Sequence, residues 1–203
     1  MKKAIGQFHP EQWYDRLVGI ANLNDPEKRY RELTRLHEET IGFYVSTIKA
    51  MDIQTAAQTS SDGRPKSLVV AHIMGWEEWQ IQVFTDPNRL HRLTRQMALH
   101  DYFDNETGKM ISFKGVDDFN KHQADKYAQK PWGEIQQKAI STALTLQDIF
   151  PPNPSEEWVN FLENTPSKVW HLTSTKTITV PGGLYLWMVS LEHEAVEHRK
   201  DLV

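Results

Sequence analysis

Apolar residues recur with helical spacing through most of this chain. Leu68, His72, Trp76, Trp79 and Val83 follow a 3.6-residue period, so one helix face carries His72 beside two tryptophans. A second stripe closes the sequence. Leu184, Trp187, Met188, Leu191, Ala195 and Leu202 share a face on which His198 lies, with Glu194 at its border.

The remaining pattern is also mostly helical. Pro10 to Leu23 predicts a short amphipathic helix carrying Trp13, Leu17 and Ile20, an N-terminal extension over residues 1–25. Asp25-Pro26 supplies a cap and a first-turn proline for a helix to about Met51, with Leu33, Leu36, His37, Ile41, Tyr44 and Ile48 inward. Thr59 to Pro65 is turn chemistry, and the His72 helix follows it to about Phe84. Asp86-Pro87 starts a further helical piece that fades by about His100, and Asp101 to Gly115 reads as a crossover loop. A long helix is expected from Val116 to Ile149 with a break at Pro131; Pro151-Pro152-Asn153-Pro154 ends it. Ser155 caps a short helix. Val169 to Thr173 and Thr177 to Val180 lean towards β and form a small hairpin before the last helix, which Pro181-Gly182-Gly183 introduces. With no repeat and no linker, the expectation is one all-α domain, a helical bundle over residues 1–203.

Charge narrows the partners. Lys plus Arg number 23 against 27 Asp plus Glu, with the signs mixed along the chain, so no nucleic-acid or membrane surface is expected. No window approaches 18 uninterrupted apolar residues, and the first ten lack a signal-peptide stretch, so the expected location is cytoplasmic. Cysteine is absent. Any thiol chemistry therefore needs a thiol from a cofactor. Phosphate-loop, dinucleotide, His-Glu-x-x-His and Gly-x-Ser-x-Gly motifs are missing.

Two imidazoles and a carboxylate facing one interior can form a three-ligand metal site. Glu194 and His198 stand four apart and can meet one ion, whereas His193 and His198 stand five apart, roughly 140° around an α-helix. His72, Glu194 and His198 are therefore the candidate ligands. The bland alternatives are a hydrogen-bonded core histidine at position 72 and an exposed i,i+4 pair at the C-terminal end, with His198 favoured by the helix dipole. His91, His100 and His122 lie among polar residues and read as solvated. Trp76, Trp79, Trp187, His37 and Asn120 are the candidate pocket walls; the alternative is that the tryptophans and His37 are core and that Asn120 belongs to the start of a capped helix.

Three blocks, Ala71-His72-Ile73-Met74-Gly75-Trp76-Glu77, Val116-Asp117-Asp118-Phe119-Asn120 with Tyr127 and Trp132, and Pro181-Gly182-Gly183-Leu184-Tyr185 running into Glu194 to His198, resemble the DinB-like (YfiT-like) superfamily. The chain is most similar to its colibactin self-protection branch and more distantly to mycothiol-dependent maleylpyruvate isomerases. The resemblance implies a four-helix bundle with a long crossover between helices 2 and 3. It also implies a divalent transition metal, zinc or nickel, held by one histidine on the second helix and two on the fourth. His72 matches the first and His198 the last, while Glu194 stands where the family often has histidine. The expected function is a metal-dependent hydrolase or thiol-dependent transferase, using a low-molecular-weight thiol, on a small and partly apolar electrophile, in a homodimer. The alternatives are a metal-independent toxin-resistance protein and a non-catalytic dimeric stress protein.

Overall fold

A computed structural model of the chain describes residues 10–86, 99 and 101–203. The helical piece expected from Asp86-Pro87 to about His100, with His91 and His100, lies outside the described residues beyond Asp86. The elements are α1 (Pro10–Ala21), α2 (Pro26–Ala50), α3 (Ile53–Ala56), α4 (Lys66–Phe84), β1 (Tyr102–Asp104) and β2 (Lys109–Ile111). They continue with α5 (Val116–Tyr127), α6 (Trp132–Asp148), α7 (Glu156–Glu163), β3 (Ser167–His171), β4 (Thr177–Pro181) and α8 (Gly182–Glu192). A π-helical turn over His193–Glu197 and a last turn, α9 (Arg199–Leu202), complete it. The fold is mostly helical, with two small antiparallel hairpins.

Local chemistry sets most boundaries. Asp25 accepts hydrogen bonds from the amides of Glu27 and Lys28, so α2 starts at Pro26 with its first orphan N–H groups satisfied. Its six expected inward residues are all buried. The expected break at Pro131 divides α5 from α6, because Pro131 sits in extended backbone and has no N–H to donate. Ser155 accepts from the Trp158 amide and caps α7.

The segment expected as a plain crossover loop contains a hairpin instead. β1 and β2 pair over three residues, turned by Gly108 at φ +67°. Strands this short carry no readable alternation. Side-chain anchors hold them: Tyr102 donates to Glu78, and Asp104 takes an ion pair from Lys126 at 2.6 Å. The later hairpin matches expectation, with Ser167 opposite Pro181 and His171 opposite Thr177. Ile178 and Val180 point into the core between exposed threonines.

α6 and α8 each lie against both α2 and α4, while α5 packs on α4 and α7 on α8. Two glycines permit this. A Cβ at Gly183 would meet Leu162 of α7 at 3.0–3.1 Å, and one at Gly75 would strike the Gln123 side chain of α5 at 2.6 Å. α4 is the central helix, with thirteen of its nineteen residues buried. No helix among the described residues is long and apolar enough to cross a membrane.

Candidate metal centre

The end of α8 decides the site. A π turn follows Glu192, and the amide of His198 reaches the carbonyl of His193 at 3.4 Å. An i→i+5 turn brings the fifth residue back over the first, where an α-helix would swing it away. His193 and His198 consequently face one another, with ring centroids 4.8 Å apart. His72 of α4 stands 4.9 Å from the first and 5.0 Å from the second. One nitrogen from each ring lies within 4.8 Å of the others. Nε2 of His72 and Nε2 of His193 are 3.1 Å apart, and Nε2 of His198 has no hydrogen-bond partner among the described residues.

Glu194 does not join this cluster; His193 occupies the place expected for it. The Glu194 side chain is buried close to Glu77 and Tyr44, and its carboxyl oxygens have no hydrogen-bond partner among the described residues. Burial, then the neighbouring carboxyl, pushes Glu77 well above the carboxylate range, and burial lifts Glu194 to about 8. Two carboxyls this close in an apolar interior keep a proton between them, which makes Glu194 a poor anionic ligand. The α-helical arithmetic that excluded His193 fails because the turn is not α-helical.

Burial holds His72 at about 3, with a smaller lowering from the neighbouring His198. The same causes, with His72 added, keep His193 well below the histidine range. Both rings are neutral at pH 7, the form in which imidazole ligates a metal. His198 is oriented by Asp201: its Nδ1 lies 3.1 Å from Oδ2, so Nδ1–H donates outward and Nε2 turns to the other rings. Asp201 in turn accepts from the Ser61 hydroxyl. Burial raises the Asp201 carboxyl, but the bonds from Ser61 and His198 hold it below its ordinary value. Asp62 also lies near this side of His198, engaged by Arg64 Nε at 2.7 Å.

Three converging imidazole nitrogens fit a transition ion. Bonds of about 2.0–2.1 Å in a tetrahedral site place neighbouring nitrogens roughly 3.3 Å apart, close to the pair at His72 and His193. Asp201→Ala is expected to weaken zinc binding about 10- to 100-fold, and Asp201→Asn, which keeps an acceptor, by less. Competition titration against a zinc chelator measures both; equal affinity in wild type and Asp201→Ala would remove the orienting role.

A cleft of about 240 Å³ opens above the rings, floored by His72 and His193. Trp76, Val116 and Val189 form its apolar walls, with Gln80, Asn120 and Glu197 as polar neighbours. A larger hollow of about 620 Å³, between Asp25–Arg31 and Pro152–Asn160, is lined by none of these groups. Of the expected pocket walls, Trp76 and Asn120 line the cleft. Trp79 is a core residue packed edge-on against Trp76. Trp187 and His37 are also core: the indole N–H donates to His37 Nδ1 at 3.2 Å, and Trp187 stacks on Phe150 at 3.9 Å. Burial keeps His37 neutral, at about 3. His122, expected in solvent, is half-buried against Tyr102 and Phe113.

His193, Asp201 and Ser61 are the residues that sequence reasoning missed. Asp201 had a signal in its spacing, three residues after His198; Ser61 is 140 residues from Asp201 and had none. No family model matches the chain, and neither a curated protein nor a solved structure matches it.

Proposed function

We propose that the chain is a metal-dependent enzyme of the DinB-like superfamily, a hydrolase or thiol-dependent transferase acting on a small, partly apolar electrophile. The observation carrying this reading is the convergence of three imidazole nitrogens, two of whose rings, His72 and His193, floor an apolar-walled cleft. In this reading α2, α4, α6 and α8 are the four bundle helices, and the segment from β1 through α5 is the long crossover.

Zinc or nickel held by His72, His193 and His198 would supply Lewis-acid polarisation at an open position. The chain's own residues do the rest. Asp201 keeps the Nε2 lone pair of His198 directed at the site. Trp76, Val116 and Val189 exclude water and pack the apolar part of a substrate. Glu197 is exposed beside His193 and is the cleft's carboxylate, placed to accept or return a proton. Glu77 is unsuited to that role because it is buried against Glu194. Since the chain has no cysteine, a transferase activity draws its thiol from a small-molecule cofactor.

The test is metal uptake by the intact chain. Wild type is expected to retain about one zinc or nickel ion per chain after gel filtration, and His72→Ala to retain none. Equal uptake by the two proteins would overturn the reading. Activity that survives full chelation would favour metal-independent binding in the same cleft.

A further inference from the structure

We infer that the cleft above the histidines selects small, uncharged, planar molecules bearing an amide-type carbonyl, and that Asn120 reads that carbonyl. An indole N–H can only donate. The Trp76 Nε1–H therefore fixes Oδ1 of Asn120 as its acceptor, at 3.1 Å. This sets the orientation of the Asn120 carboxamide without ambiguity. Its NH2 group remains as a donor on the cleft wall, with no acceptor among the described residues.

Gln80 adds a second carboxamide to the same wall, one helical turn beyond Trp76. It is 3% exposed and its Oε1 lacks a partner among the described residues, although a buried amide oxygen ordinarily has one. An occupant carrying both a carbonyl and an N–H answers both groups. Size and charge narrow the class. The volume, about 240 Å³, falls below the roughly 300–1,000 Å³ of sites for drug-sized ligands, so a single ring fills it. Among the described residues no lysine or arginine lines the cleft, and Glu197 stands at its edge, which disfavours anions. Trp76 is itself held rigid, with Phe119 at 4.6 Å and Trp79 at 5.7 Å, and offers a fixed apolar wall to a flat ring.

The proposal rests on the metal reading for the cleft's purpose, but its recognition groups are independent of any ion. It is therefore tested on the chelator-treated full chain, following the Trp76 indole N–H signal by NMR. The probes are benzamide, benzoate, benzylamine and toluene. Benzamide is expected to bind in the millimolar range, at least about fivefold tighter than the other three. Asn120→Asp keeps an oxygen for Trp76 and loses the donor; it is expected to weaken benzamide about tenfold and leave toluene unchanged. Benzylamine binding more tightly than benzamide would overturn the proposal in favour of cation selection by Glu197. Benzamide binding equally to wild type and Asn120→Asp would also overturn it. Zinc uptake is measured on the same samples: benzamide selectivity without zinc uptake supports this inference and sinks the metal reading alone.

Discussion

His193→Ala is expected to lower zinc affinity on the order of a hundredfold to a thousandfold, whereas Glu194→Gln leaves it within about threefold. The contrast follows from the π turn. His193 presents Nε2 to His72 at 3.1 Å, while Glu194, the next residue, is turned inward against Glu77. Removing one of three protein ligands takes away a metal bond that water replaces poorly. Glu194→Gln only exchanges a carboxyl kept largely uncharged by burial for an uncharged amide of the same shape. Competition titration with a chromophoric chelator reads both affinities, and circular dichroism checks the fold. The reverse ranking would mean that the metal-bound segment winds as a regular α-helix, in which Glu194 and His198, four apart, share the ion.

Lys126→Met is expected to destabilise the fold by about 3–5 kcal/mol at neutral pH. The Lys126 side chain is 7% exposed and its ammonium pairs at 2.6 Å with Asp104, whose side chain is 2% exposed. It also stands 4.0 Å from Glu78, which Lys138 pairs at 3.0 Å. Burial by itself would raise the Asp104 carboxyl, but hydrogen bonds from Lys126, Thr107 and the Glu106 amide hold it at about 2. Methionine keeps the aliphatic stem and leaves the carboxylate buried without its cation. In wild type, the Asp104 contribution is complete above its unfolded value near 4 and is lost as pH falls towards 2. The variant's deficit should therefore be full at pH 7 and shrink below about pH 4, as protonation removes the unpaired charge. Urea unfolding across that range measures it. A pH-independent loss under 1 kcal/mol would mean that the pair adds little.

Much of the scaffold was legible. The Asp25-Pro26 cap, the break at Pro131, the Ser155 cap and the hairpin before Gly182 are local chemistry, written in neighbouring residues and realised where they stand. The site was half legible. His72, His198 and Trp76 could be placed inward by periodicity; Asn120 was a candidate wall without a periodic signal of its own. Periodicity could not separate Trp76 from Trp79, since α4 is buried on nearly every side and apolar residues then mark no single face. Periodicity likewise left Trp187 and His37 open between core and pocket wall, and both belong to the core.

By itself, then, the chain's order of residues determined a helical protein, two inward imidazoles on distant segments, and the absence of thiol ligands. Tertiary structure alone decided the third imidazole. A π turn gives up regular i→i+4 bonds and persists only when surrounding packing holds it. Here Glu194 fits against Glu77 and Tyr44 on one side, and Asp201 fastens His198 on the other. Those partners lie on α2, α4 and the final turn, so spacing within one helix could not have revealed them.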